Sequence, residues 1–327
     1  GMTGTLNIAY VSASLIETNR DPWIYIALTM IIAGFGLQAG MFPLHTWLPD
    51  AHSAALSPIS AVLSGVMVKT GVYGLIRVLL IVFSSFYMTW QIPLALFAVL
   101  TMFVGNLLAL LQDDIKRLIA CSTIANIGYI LFGVAVQSQA SLTGSLFHIL
   151  NHAVVKALLF LCAGAFVYQT KTRSLKELAG IRHSMPITGS IFIIGTLALT
   201  GMPPLNFFWS ELTIITSGVE AGMTTFSLLM ILNLSLSAVY CIRMIQTVAL
   251  RRPTTKSRNA KEAPLPMLIP IAILVSLSII IGLYPGPFWT FAKAAAKTAL
   301  NYTSYIAVSY THLRAHETRH DLVCRLL

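Results

Sequence analysis

The run Leu142-Thr-Gly-Ser-Leu-Phe-His-Ile-Leu-Asn-His-Ala-Val-Val-Lys-Ala-Leu-Leu-Phe-Leu-Cys-Ala-Gly-Ala-Phe-Val-Tyr168 decides the fold. About 20 predominantly apolar residues cross a hydrocarbon core of roughly 30 Å, and this run is longer than that. Working outward, the same rule predicts spans over 22–44, 58–83, 91–111, 118–136, 142–168, 186–216, 224–249 and 265–288. Composition agrees. Of 327 residues 56% are hydrophobic and 10% charged, with a mean hydropathy of +0.79, whereas a soluble domain carries about 25% charged residues. The expected fold is an all-α integral membrane protein of about eight transmembrane helices.

Two spans carry breakers at mid-length. The first holds Gly34, Gly36, Gly40 and Pro43, and the sixth holds Gly201, Pro203 and Pro204. Proline removes a backbone donor and clashes with the preceding turn, so both helices should be discontinuous, near Gly40–Pro43 and Gly201–Pro204. The strings Gly40-Met-Phe-Pro-Leu and Gly201-Met-Pro-Pro-Leu echo each other, which hints at an internal repeat.

The net charge of +10 would suit nucleic acid, but its distribution argues otherwise. Lys116, Arg117, Lys171, Arg173, Lys176, Arg182, Arg251, Arg252, Lys256, Arg258 and Lys261 fall in alternate loops, and the opposite loops hold almost none before Lys293. That asymmetry is how membrane topology is written. It predicts a multi-pass protein of the cell (inner) membrane with the basic loops in the cytoplasm, both chain ends outside, and no nucleic acid partner. Cys121, Cys162, Cys241 and Cys324 form no CxxC pair, so neither a metal site nor a redox cofactor is expected.

Both ends look foreign to the rest. The chain opens at Gly1 without a signal peptide, as if cut from something longer, and the composition shifts abruptly from about Ser309. His312, His316 and His320 mimic a metal-binding stripe there. The plainer reading is a transmembrane bundle over 1–308 followed by an extraneous tail over 309–327 without function.

An ionisable group inside hydrocarbon costs at least ~2.5–3.5 kcal/mol, so each is a functional candidate. Lys69 lies mid-span in Val66-Met-Val-Lys-Thr-Gly, too deep to snorkel comfortably. His148, His152 and Lys156 recur every four residues, on one helical face drifting ~40° per step over ~12 Å. Three titratable groups on one stripe suit a proton relay, with Asn151 beside them. Glu211 is the one acidic residue within any span, just after the second break, where interrupted helices build ion sites. Permanent pairing as structural glue is the competing reading for Lys69, and an interfacial position for Glu211. His45, Asp50 and His52 flank Trp47-Leu-Pro and would serve either as proton uptake groups or as helix caps. Arg77 and Arg243 lie nearer span ends, where anchoring explains them.

Together these motifs resemble a known family. Phe42-Pro-Leu-His-Thr-Trp-Leu-Pro-Asp-Ala-His52, Gly65-Val-Met-Val-Lys-Thr-Gly-Val-Tyr-Gly-Leu-Ile-Arg77, Asp114-Ile-Lys-Arg-Leu-Ile-Ala-Cys-Ser-Thr-Ile-Ala-Asn-Ile-Gly128, Asn151-His-Ala-Val-Val-Lys156 and Gly201-Met-Pro-Pro204 are similar to the antiporter-like subunits of respiratory complex I. Membrane subunits of group-4 nickel–iron hydrogenases and Mrp-type sodium/proton antiporters belong to the same superfamily. The resemblance implies the last eight of fourteen helices, with two inverted five-helix repeats. It implies Lys69 as the eighth-helix lysine, Glu211 as the twelfth-helix ionisable residue, and His148, His152 and Lys156 as the relay between them. Where the family has a lysine in its broken seventh helix, this chain has Gln38, a neutral amide that takes up no proton at ordinary pH.

The function so implied is proton translocation in a complex I-like NADH:quinone oxidoreductase or membrane-bound hydrogenase. The chain, with no redox centre of its own, would work beside other membrane subunits in the lipid bilayer. The alternatives are an Mrp-type subunit exchanging Na+ for protons and a non-pumping structural subunit.

Overall fold

The computed structural model describes residues 7–17 and 21–301, and among them every regular element is helical. The tail expected over 309–327 and the opening at Gly1 lie outside the described residues. A short helix α1 (Ile8–Glu17) precedes α2 (Pro22–Ala39) and α3 (Trp47–Ala54). Next come α4 (Ser57–Val82), α5 (Tyr87–Leu111), α6 (Ile115–Val136) and α7 (Gln139–Thr170). The chain continues through α8 (Pro186–Leu199), α9 (Asn206–Glu220), α10 (Thr224–Leu250), α11 (Leu265–Leu283) and α12 (Gly286–Leu300).

Both predicted breaks are present. α2 stops where Gly40 takes a left-handed φ of +72°, and the chain re-enters helix as α3. The sixth expected span divides into α8 and α9 around Gly201, φ +69°. In both breaks a tryptophan ties the following helix back to a helix end. The Trp47 indole donates to Leu37 O at 2.9 Å and the Trp209 indole to Gly282 O at 2.9 Å. Left-handed backbone costs an L-residue about 1 kcal/mol or more, which is why glycine stands at these two positions.

Helix starts follow from local chemistry. Asp21 accepts from Trp23 N at 3.0 Å ahead of Pro22, the first residue of α2. Asp114 accepts from the Lys116 and Arg117 amides at 2.8 and 3.1 Å, and Ser138 and Ser141 form a reciprocal capping box on α7.

α6 is the axis of the bundle: its apolar window is entirely buried, whereas those of α10 and α11 are only 33% and 28% buried. A helix apolar on all sides belongs either in a core or against lipid, so α6 takes the centre and α10 and α11 present large apolar side chains outward. Two helices depart from a regular course. α4 contains π-turns at Leu63–Met67 and Val78–Val82, and α10 ends in one at Gln246–Leu250. The last expected span, 265–288, corresponds to α11 ending at Leu283. After Tyr284 and Pro285, α12 begins, an alanine-rich helix of 15 residues that carries Lys293 and Lys297.

Arg243, expected as an anchor near a span end, is half-buried and reaches the end of a neighbouring helix. Its guanidinium donates to Leu110 O at 2.7 Å, Gln112 O at 2.6 Å and Ala109 O at 3.2 Å, satisfying the free carbonyls at the C-terminal end of α5.

Candidate functional site

The π-turn at Leu63–Met67 lies immediately before Lys69 in α4. The Lys69 ammonium, 6% exposed, donates to the Ser64 carbonyl, and the Ser64 hydroxyl lies 2.8 Å from Thr123 Oγ1 on α6. Thr123 donates to Ile119 O at 3.1 Å, and that carbonyl also accepts from Lys156 Nζ of α7 at 3.3 Å. Lys156, fully buried, donates in addition to the Ser122 hydroxyl. Two lysines on different helices are thus joined through one turn of α6.

The line continues. Asn126 Nδ2 donates to Ser122 O at 2.7 Å, which leaves its Oδ1 facing His148 Nε2 at 3.0 Å. An amide oxygen accepts only, so Nε2 carries the proton. His148 Nδ1 then meets the Ser210 hydroxyl of α9 at 2.9 Å, a group able to donate to a neutral ring or accept from a protonated one. Asn151 donates to Ser210 Oγ at 3.3 Å and to Asn206 O at 2.9 Å, and Ser278 of α11 donates to Asn206 Oδ1 at 3.2 Å. Glu211 follows Ser210 in sequence and is 4% exposed. Its carboxylate folds toward the break, where a Cβ on Gly201 would overlap Oε2.

His152 sits between these groups without a protein hydrogen bond on either ring nitrogen; its ring lies 6.2 Å from His148 and 6.3 Å from Phe207. Glu211 Oε1 is likewise without a protein partner. His52, fully buried, stacks on Phe160 at 4.6 Å and 13°, also with both ring nitrogens unpartnered. Buried polar atoms without partners are costly in a dry core, about 1–3 kcal/mol each.

Of the expected site residues, the structure brings Lys69, Lys156 and His148 into one hydrogen-bonded line, with His152 and Glu211 against it. Gln38, Asp50 and His45 lie elsewhere. Gln38 is exposed and donates to Thr70 Oγ1 at 2.7 Å, next to Lys69 but on the outer face. Asp50 is exposed and paired to Arg117 at 2.5 Å. His45 is buried near Phe42, ring centroids 5.7 Å apart.

The uncharged members of the line were not singled out from sequence: Ser64, Ser122, Thr123, Asn126, Asn206 and Ser210. Their signal was weak but present, as fully buried hydroxyls and amides inside apolar runs. A second buried polar cluster also escaped notice. Asn106 donates to the Asn233 side chain and carbonyl, both at 3.0 Å, and to Tyr129 Oη at 3.3 Å, and accepts from Tyr240 Oη at 3.3 Å. Tyr129 borders His148 edge-on, centroids 6.1 Å apart, so this cluster adjoins the polar line.

Comparison with known proteins agrees with the architecture. Residues 1–237 match the family described as NADH:quinone oxidoreductase/Mrp antiporter, TM. NADH-quinone oxidoreductase subunit N of Desulforudis audaxviator is 34% identical over 298 residues, covering 86% of this chain and 59% of the relative. Hydrogenase-4 component B of Escherichia coli is 35% identical over 296 residues, covering 83% of this chain and 44% of the relative. The chain therefore spans about half the length of these relatives. A chain of the Mrp complex from Dietzia sp. DQ12-45-1b superposes with a TM-score of 0.86 at 23% identity, covering 93% of this chain and 64% of that one, which shows a shared fold. With its apolar helices, its two broken spans and its match over residues 1–237, this multi-pass membrane chain belongs to the NADH:quinone oxidoreductase/Mrp antiporter transmembrane family.

Proposed function

We propose that the chain is the proton-carrying part of a membrane subunit in a redox-driven complex of the complex I or hydrogenase type. The observation that carries this reading is the unbroken polar line Lys69–Ser64–Thr123–Ile119–Lys156–Ser122–Asn126–His148–Ser210, buried in helices that are otherwise apolar. Lys69 and Lys156 would hold protons, the hydroxyls and amides would orient water between them, and His148 would pass a proton toward Ser210 and Glu211. His152 and Glu211, each with a buried nitrogen or oxygen free of protein partners, are where solvent would complete the path.

The chemistry of electron transfer would lie in partner subunits, and this chain would contribute the path for protons. Those partners would include other membrane subunits flanking this one, and the basic loops would face the cytoplasm of a cell (inner) membrane. The neutral, outward-facing Gln38 favours a second reading, a subunit retained as scaffold rather than as a pump. Exchange of Na+ for protons is the third, and sodium-dependent exchange in vesicles without soluble subunits would select it.

The test uses the full-length protein in its complex, with Lys69→Ala and, separately, Lys156→Ala. Fewer protons moved per electron, with electron flow retained, is the expected outcome. An unchanged ratio in both variants would sink the pump and leave the scaffold.

A further inference from the structure

A crevice of about 360 Å³ opens beside the bundle on the face that carries the basic loops, between the α3–α4 elbow, the start of α6 and the end of α7. It is independent of the polar line above. Lys116 and Arg173 both line it. Lys116 is 4% exposed, and its ammonium donates to the Ala55 carbonyl at 2.5 Å. No carboxylate lies within ion-pair distance of that ammonium among the described residues. Arg173 binds Ser53 O at 2.5 Å and stands 3.8 Å from Asp114 Oδ2, while the other oxygen of Asp114 is engaged by the first amides of α6. Arg173 thus has one partly committed carboxylate nearby and Lys116 has none within ion-pair distance. Among the described residues the crevice is lined by two cations and by no carboxylate.

Its remaining lining is mostly apolar: Leu56, 72% exposed, Pro58, Val167 and Met267, together with Tyr168, which is 54% exposed and has Lys171 Nζ 4.7 Å over its ring. Amphipathic tyrosines mark the headgroup level of a bilayer, and basic recesses between helix ends on the positively charged side recognise anionic headgroups. A free inorganic anion would use the cations and leave the apolar half without purpose. We propose that this crevice binds the phosphate of an anionic phospholipid, with Lys116 and Arg173 holding the phosphate oxygens and Leu56, Pro58, Val167 and Met267 flanking the glycerol and first acyl carbons.

The experiment is native mass spectrometry of the full-length chain released from vesicles of phosphatidylcholine containing phosphatidylglycerol. The wild type should retain one phosphatidylglycerol in preference to phosphatidylcholine. Lys116→Gln and Arg173→Gln should each reduce that retention roughly tenfold, the effect of losing about 1.4 kcal/mol of binding. Lys176→Gln, an exposed loop cation outside the crevice, should leave it unchanged. Should Lys116→Gln fail to fold, Arg173→Gln decides the matter, since its side chain is 46% exposed. Equal retention in wild type, Arg173→Gln and Lys176→Gln would overturn the proposal, as would equal retention of phosphatidylcholine. Displacement of the lipid by a comparable concentration of inorganic phosphate would assign the crevice to free anions instead.

Discussion

Glu211 lies folded against Gly201, so closely that a single added methyl carbon on the glycine would occupy the space of the carboxylate oxygen Oε2. The break and the acidic group of the second discontinuous span are therefore one unit. Glycine is needed at 201 twice over, for its φ of +69° and for the room it leaves.

Gly222 separates these two demands. Its φ is +76°, yet nothing lies within 4 Å of where a Cβ would stand. Gly222→Ala should cost about 1 kcal/mol from backbone conformation alone. Gly201→Ala should cost about 2–3 kcal/mol, because the carboxylate must also move. Thermal unfolding of the detergent-solubilised full-length protein measures both. Equal losses would show that Glu211 does not depend on the break.

Asn126 is the bridge between the lysine part of the line and the histidine part. Asn126→Leu should leave the bundle folded and reduce proton movement roughly tenfold, the kinetic equivalent of losing one hydrogen bond of about 1.4 kcal/mol. Asn126→Ser, which keeps a polar atom on the same face, should recover part of the rate. Dye-reported acidification of vesicles carrying the intact complex is the readout. A leucine variant with the wild-type rate would mean that protons bypass Ser122 and His148.

Arg243 holds three carbonyls at the end of α5. Arg243→Met should destabilise the protein by about 2 kcal/mol, since hydrogen bonds from a charged donor contribute about 1.5–3 kcal/mol. Arg243→Lys should recover only part, because an ammonium cannot reproduce the planar fork. Hydrogen exchange at the Ala109–Gln112 end of α5 should accelerate in both variants, most in the methionine one. Unchanged exchange would show that the end of α5 does not depend on Arg243.

The loop between α7 and α8 carries a pH-dependent latch. The Thr172 hydroxyl and, at 2.9 Å, the Lys256 ammonium hold the exposed Glu177 carboxyl below its ordinary value of 4.5. A carboxyl whose folded value is depressed adds stability above its unfolded value and loses it as pH falls through the folded one. The advantage of wild type over Glu177→Gln should therefore hold from neutral pH down to about 4.5 and shrink below it. Melting temperatures of the two proteins across that interval test this, and a gap that widens on acidification would contradict it.

The two breaks, the buried stripe and the absence of strands among the described residues were legible because each rests on a local rule. Proline deprives a helix of a backbone donor, and beside the left-handed Gly40 and Gly201 the residues Pro43 and Pro204 mark breaks, whereas Pro93 and Pro270 stay inside α5 and α11; His148, His152 and Lys156 share a face by helical geometry alone. The partners of Arg243 were hidden for the opposite reason. Its position near a span end suggested an anchor, and nothing local revealed that the end of α5 would leave carbonyls within its reach. The same limit hid Asn126 and Ser122, which look like ordinary small polar residues until α4, α7 and α9 close around them.

By itself the sequence determined that the chain crosses a membrane several times and which charges must be housed there, since the cost of moving a residue into oil depends on that residue and its near neighbours. Tertiary structure decided which of those charges speak to one another. Packing α6 at the centre set Lys69 and Lys156 on a shared turn and turned Gln38 and Asp50 to the outside. Hydrogen bonds reach only about 3 Å, so adjacency between residues far apart in the chain is fixed by how helices meet.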